Sequence, residues 1–377
     1  MTIIYHRFFM MIFSIFKIDN KKIMIINYYG KWYWDNWKYL CEELFNYDYK
    51  IYWACKKVYK DSLPKEINYV NYNSIKFLYH LATSKIWINN NRFRLGIRKK
   101  KQQYYIQTWH GCIGFKNSGS AYKKWSSSPW SMASEKHDSD MIDLFISNST
   151  FSTNYYRNYY QYDGKILECW CPRNDIIVNN EKLSRNKVIK YFWFNNSVKI
   201  CLYAPTFRDD QSFDAYNMDY NELLNSLRKR FSWEWKLLIR FHPAISDYAN
   251  KHVNFNKNVI NASEYSDMQE LLVASDFMIT DYSSCIFDYA LSKKPAAMYA
   301  SDIEKYREER NFAIKLEDSP FPIATNNMEL KNIIKDFDMN KYLKKINKFY
   351  EDNGLKETGK ACEKIVEIIN EITNEEK

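Results

Sequence analysis

From residue 22 onward, short apolar runs alternate with amphipathic stretches. Residues 22–29 (KIMIINYY) form an apolar run of strand length. In 35–46 (DNWKYLCEELFN), Trp37, Leu40, Cys41, Leu44 and Phe45 recur at helical spacing, with Asp35 or Asn36 as the cap. The same pattern predicts strands over 49–54, 67–70, 85–88, 104–108, 144–147 and 165–169. It predicts helices over 75–83 and 150–160, and a basic loop over 92–101. A second series begins near Val198, with strands over 199–203, 236–241, 258–261, 277–280 and a final one over 296–299. Its helices are expected over 220–230, 268–274 and 284–291, followed by a charged helical tail from Asn340.

Strands that alternate with helices imply parallel sheets covered on both faces. Two such series, joined across 181–197, imply an α/β protein of two doubly wound, Rossmann-like domains facing a cleft. The expected organisation is an apolar N-terminal segment over 1–21, domains over 22–190 and 198–339, and a helical tail over 340–377. The 377-residue length accommodates two to three domains at roughly 150 residues each. The segment 8–18 (FFMMIFSIFKI) follows Arg7 and has a signal-peptide-like start, but no small-residue cleavage site follows. It is shorter than the roughly 18 apolar residues that span a bilayer. It reads as an interfacial or packed helix, with an uncleaved membrane-surface anchor as the sharper alternative.

Composition narrows the classes. With 46% hydrophobic and 27% charged residues the chain is globular, and eight glycines argue against collagen-like or Gly-rich phosphate-loop designs. The net charge of +10 favours anionic partners, namely phosphate-bearing substrates, nucleic acid or anionic lipid, and composition alone does not choose among them. No nucleic-acid module is present, and the charge is not clustered in the way a nucleic-acid-binding face requires. The eight cysteines contain no Cys-x-x-Cys. They read as scattered thiols of a reduced compartment, with the one close pair, Cys169 and Cys171, on one side of a strand as a redox or metal pair the alternative.

In doubly wound sheets ligands bind beyond the carboxyl ends of strands, and several predicted strand ends carry reactive residues. His110 follows the strand 104–108 and precedes Gly111. It suits general base work, with a hydrogen-bonded structural histidine as the equal alternative. Arg240 and His242 share one side of a strand end before Pro243 and can hold phosphate oxygens or form a sheet-edge ion pair. Thr280, Asp281, Ser283 and Ser284 open a helix after a buried strand, where free amides bind anions and where plain capping is the commoner use. Arg208 and Arg173 each stand just past a strand.

The motifs QTWHG with Lys116 following, PRND, YAPTFRD, RFHP, and ITDYSSCIFDYA with a following EKYR, resemble the CDP-glycerol glycerophosphotransferase family, the teichoic-acid-type polymerases and primases. They run in the family's order over residues 22–312. The resemblance implies a GT-B-like fold and transfer of glycerol phosphate from CDP-glycerol to a hydroxyl, with release of CMP. It makes His110 the general base. It assigns His242, Ser283 and Ser284 to the donor diphosphate, with Thr280 and Asp281 shaping that pocket. Arg208, Arg240, Arg173 and Lys116 are candidate phosphate contacts, while Asp288 is read as structural. No Asp-x-Asp motif stands out, so no metal ligand is assigned and metal dependence is left open.

The chain departs from the family pattern in two places. Cys112-Ile113-Gly114-Phe115-Lys116 stands where the commoner form is Thr-Pro-Leu-Lys and resembles a subgroup linked to capsule or other glycan polymers, and Asp35-Asn36-Trp37-Lys38-Tyr39 stands where Asn-Pro-Lys-Tyr is commoner. The chain is expected to be a minimal catalytic unit. Family acceptors are lipid-linked, so the basic stretches 92–101 and 116–130 (with Lys123, Lys124, Trp125 and Trp130) are candidates for an anionic membrane surface, at about 1 kcal/mol per basic residue. This implies a peripheral enzyme on the cytoplasmic face of the plasma membrane. CDP-ribitol as donor, or a nucleotide-sugar glycosyltransferase of similar fold, are the alternative readings.

Overall fold

The computed structural model describes residues 2–111, 113–122, 126–179, 182–208, 214–242, 245, 251–309 and 312–374. Cys112, Lys123, Lys124, Trp125, Glu181, Asp209 and Pro243 lie outside the described residues. The chain divides into two compact units. The first comprises Met1–Cys112, Ser118–Asp175 and Leu355–Lys377, and the second Ile113–Asn117 and Ile176–Gly354.

The first unit is built on β1 (Asp19–Ile26), β2 (Lys50–Cys55), β3 (Asn68–Asn71), β4 (Ser84–Asn89), β5 (Tyr104–Gln107), β6 (Leu144–Ser147) and β7 (Lys165–Glu168). They form one parallel sheet in the order β3-β2-β1-β4-β5-β6-β7. Alternation along β1 explains why its whole run is apolar. Ile23 and Ile25 enter one core with Trp53, Ile86 and Ile88, while Met24 and Ile26 enter the other with Trp87 and Tyr105. The first of these cores is closed by helix α2 (Asn36–Leu44) through Trp37, Leu40 and Leu44, and by the C-terminal helix Ala361–Asn374 through Ile365, Val366 and Ile369. Asp175 anchors that last helix, because its carboxylate accepts from the Ala361 and Cys362 amides at 3.0 and 2.8 Å.

The second unit contains β8 (Lys199–Tyr203), β9 (Trp235–Ile239), β10 (Val259–Asn261), β11 (Phe277–Thr280), β12 (Ala296–Tyr299) and β13 (Ile323–Ala324). The order is β10-β9-β8-β11-β12-β13, again all parallel. In each sheet the order reverses beside the first strand, between β1 and β4 and between β8 and β11. Open α/β sheets form ligand crevices at such reversals.

The partition differs from the ranges expected. Residues 182–191, read as part of a linker, form the helix Lys182–Tyr191, which packs on the helix Met268–Ala274 in the second unit. Arg185 fixes it there by donating to the Ala274 carbonyl and pairing with Asp276 at 3.1 Å. The tail is split: the helix Met339–Asp352 stays with the second unit, and the helix Ala361–Asn374 returns to the first. Lys116, expected in the N-terminal domain, belongs to the second unit. The strand 296–299 is followed by β13. Cysteines 41, 55, 169, 201, 285 and 362 are free, whereas Cys171 is disulfide-bonded, so Cys169 and Cys171 are not a pair.

Helix α1 (Thr2–Phe13) packs against α3 (Ile75–Thr83) through Met10, with Phe9 and Phe13 against the same core. Its outer face carries Ile4, Phe8 and Met11, 75%, 52% and 65% exposed, and Ile15 lies just beyond the helix end. No helix of the described residues is long and apolar enough to cross a membrane.

Candidate active site

At the carboxyl end of the first sheet, non-glycine residues with positive φ cluster: Tyr28, Tyr29, Trp32 and Asp35 after β1, Trp109 after β5 and Trp170 after β7. Each such backbone costs about 1–3 kcal/mol, which the surrounding structure must offset. The left-handed Trp109 turns the chain sharply, so that the next residue, His110, lies against the Trp109 ring (centroids 4.4 Å apart, stacked) and beside Tyr28 at 5.1 Å.

The His110 Nδ1 lies 2.8 Å from the Asn90 carbonyl oxygen. A carbonyl only accepts, so Nδ1 carries the proton and Nε2 the lone pair. Burial lowers the His110 pKa below the ordinary imidazole value. The Asn90 hydrogen bond and the Asp35 charge oppose that shift, while Arg173 and Arg92 reinforce it. Asn90 is itself held, since its Nδ2 donates to Asn27 Oδ1 and to Asp35 Oδ2, and its Oδ1 accepts from the Tyr28 amide.

Arg173 is buried. Its Nη1 donates to Asp35 Oδ1 at 2.8 Å and to the His110 carbonyl at 3.2 Å, and its amide bonds Asn36 Oδ1. Asp35 therefore serves the arginine, and its side chain makes no cap bond to α2, contrary to the capping expectation. The sequence signal for this network is the run Asn89-Asn90-Asn91, which begins at the last residue of an apolar strand.

In the second unit, β8, β9 and β11 deliver the remaining candidates. Thr280 Oγ1 donates to the Ala204 carbonyl at 2.6 Å, tying the ends of β11 and β8 together. Asp281 Oδ1 accepts from the Thr206 and Tyr282 amides, and Oδ2 meets Arg208 Nη2 at 2.8 Å. Arg208 Nε also donates to Asp302 at 2.6 Å, and Nη1 donates to the Thr206 carbonyl. Burial opposes the Arg208 charge, but Asp302 and Asp281 outweigh it and raise its pKa. The guanidinium is thus committed to internal partners at the β8/β11 reversal, lying over Tyr282 and Tyr306, whose rings stack at 3.8 Å.

Ser283 and Ser284 follow at the start of the short helix Cys285–Ala290. Both are half-buried, and Ser284 makes no side-chain cap bond. Asp288 is buried and accepts from Gln269 Nε2. Arg240, just past β9, donates to the Ser266 carbonyl. Burial lowers its pKa, against the charges of Asp267 and Cys285. His242 is exposed, its ring 5.4 Å from Phe207.

Residues 113–117 join this unit as a strap. Lys116 bridges Phe312 in antiparallel fashion, with Nζ 5.8 Å from the Tyr306 ring, and the Ala313 amide donates to the Phe115 carbonyl. Gly114 passes so close to Ser284 that an added Cβ would sit 3.3 Å from the serine Cβ. His110 and Arg173 are thus assembled in the first unit. Lys116, Arg208, Arg240, His242, Thr280, Asp281, Ser283 and Ser284 belong to the second.

A family model described as CDP-Glycerol:Poly(glycerophosphate) glycerophosphotransferase matches residues 7–371. The chain belongs to that family. This glycerophosphotransferase-family enzyme is 32% identical to a teichoic acid poly(glycerol phosphate) polymerase of Staphylococcus epidermidis, over 96% of this chain and 52% of the relative. It is 31% identical to the protein of that description in Bacillus spizizenii, over 92% of each chain. The chain therefore spans about half of the first relative and nearly all of the second. Among solved structures it resembles the wall teichoic acid polymerase TagF, as a His-to-Asn variant soaked with CDPG, with a TM-score of 0.84 and 28% identity over 98% of this chain and 94% of that one.

Proposed function

We propose that this enzyme moves glycerol phosphate from CDP-glycerol to a hydroxyl of a lipid-linked glycan or poly(glycerol phosphate) acceptor, releasing CMP, in synthesis of a teichoic-acid-like or capsular polymer. The single observation that carries the base assignment is the contact between His110 Nδ1 and the Asn90 carbonyl, which leaves Nε2 free to accept a proton. In this reading Nε2 takes the proton of the acceptor hydroxyl. The acceptor oxygen bonds to the β-phosphorus, the bond from that phosphorus to the bridging oxygen breaks, and CMP departs with the electron pair. His242, Ser283 and Ser284 hold the diphosphate by donating hydrogen bonds, and Arg240 and Lys116 offset its charge. Arg208, Asp281 and Thr280 are positioning residues, because their polar atoms are spent on one another and on backbone. The reading requires a GT-B-like pairing of two Rossmann-like lobes about a cleft.

The membrane part of the proposal moves from the basic loop to α1. Within 92–101, Arg92 pairs with Glu135, Lys99 with Asp143, and Lys100 donates to the Phe16 carbonyl, leaving Arg94, Arg98 and Lys101 outward. Beside them the apolar outer face of α1 suits the interfacial zone of an anionic bilayer, on the cytoplasmic face of the plasma membrane. Incubation with CDP-glycerol, CDP-ribitol and nucleotide sugars in the presence of lipid-linked acceptors tests the reaction. CMP release is expected with CDP-glycerol and is lost in His110→Ala. Turnover by that variant near the parent rate would remove the base assignment, and preference for another donor would remove the substrate.

A further inference from the structure

A cavity of about 620 Å³ lies in the first unit between α1, α3 and the segments that follow β3 and β4. Its walls are mainly apolar, including Phe77, Leu78 and Ile97, while Ile4 and Phe8, which also line it, are among the exposed apolar residues of α1. Two basic side chains, His6 and Arg94, line it. His6 is 9% exposed, and among the described residues its Nδ1 has no hydrogen-bond partner. Arg94 is exposed and lies 5.8 Å from the Tyr72 ring. Among the described residues no carboxylate pairs with it.

The cavity is built into the fold. Gly96 has φ +100, and a Cβ there would meet the Ile3 carbonyl oxygen at 2.5 Å, so only glycine lets α1 seat this closely. Burying an imidazole nitrogen without a partner is unfavourable, so an occupant that hydrogen-bonds to it removes that penalty.

We propose that this cavity holds the hydrocarbon chain of a single lipid whose anionic phosphate is gripped by Arg94 and His6. Volume and lining match a chain, since ligand pockets of this size are mostly apolar with a few placed polar groups. The charge of Arg94 and the unused donor or acceptor of His6 match a phosphate oxygen pair, not a neutral head. Burial and the Arg94 charge lower the His6 pKa, so the imidazole offers a single N–H while the guanidinium supplies the charge. The apolar rim distinguishes the site from one for a freely soluble phosphate, because Ile4 and Phe8 continue the outer face of α1 into the cavity mouth. The proposal rests on the reading that this unit works against a membrane, and it adds a specific seat for one lipid molecule.

Dodecyl phosphate below its micelle concentration is the probe, titrated into the full chain by calorimetry. Saturable one-to-one binding is expected, with no binding of inorganic phosphate and weaker binding of dodecyl maltoside. Arg94→Glu is expected to weaken dodecyl phosphate binding about tenfold, the scale of one lost charge-assisted hydrogen bond. Asn73→Trp, which fills the cavity from an exposed position, is expected to abolish it. Equal binding of the neutral and phosphate probes, or affinity untouched by either variant, overturns the proposal. Co-sedimentation with phosphatidylglycerol vesicles is measured in parallel. Vesicle binding without dodecyl phosphate binding rejects the cavity and leaves the membrane reading standing, whereas the reverse rejects the membrane reading and supports the cavity.

Discussion

His110 shows how a side chain named by sequence acquires its chemistry from neighbours that were not named. Its position after a strand and before Gly111 was legible, as was its suitability as a base. Its tautomer was not, because that depends on the carbonyl of Asn90, twenty residues away and brought alongside by the pairing of β4 with β5. A pH dependence follows. Only the neutral imidazole accepts a proton, and burial places its pKa below 6.5. Activity is therefore expected to be full at neutral pH and to fall as pH drops through that lowered value. A pH profile of kcat/KM with its acidic limb at or above 6.5 would contradict the assignment. The arginines show the opposite lesson. Each follows a strand, so Arg208 and Arg173 read as contacts to an anionic substrate or as residues that fix a loop, and sequence alone cannot tell a cation facing a ligand from one facing a carboxylate. The acids concerned, Asp302 and Asp35, are distant in sequence, and removing one partner of such a buried pair typically costs about 3–5 kcal/mol.

Among the elements, the apolar strands and amphipathic helices of both sheets were legible, because period and composition agree there. The helix Ile75–Thr83 and the strands Leu144–Ser147, Lys199–Tyr203 and Phe277–Thr280 fall where the pattern put them. The helices Lys182–Tyr191 and Pro129–Ser139 did not stand out, since their faces are largely polar and their burial is supplied by neighbouring elements. Helix α1 was visible as an apolar run, but the glycine that seats it was not. Gly96→Ala is expected to destabilise α1 docking by about 1–3 kcal/mol through backbone strain and collision with Ile3. Hydrogen exchange over residues 2–13 should accelerate while the β1 amides stay protected, and unchanged exchange in α1 would show that the close approach carries no stability.

For the whole molecule, the sequence pattern implied two α/β series, but not that the chain crosses between units more than once. The strap Ile113–Asn117 leaves the first unit for the second and the chain then returns at Ser118, and the helix Ala361–Asn374 comes back to the first at the end. Nothing local marks these crossings, because a helix amphipathic enough to cover one sheet can cover another. Deleting Leu355–Lys377 uncovers the seat of Ile365, Val366 and Ile369, each worth about 1.5–3 kcal/mol when buried. Calorimetry should show an early transition from the first unit while the second melts as in the parent, and an unaltered thermogram would mean that the helix is dispensable. The same return sets an order of events on the ribosome. The second unit's chain is complete once Gly354 has been added, whereas the first-made sheet must wait, one core face open, for a helix that follows the whole of the second unit in the chain. A nascent-chain holdase would find its target on that uncovered sheet.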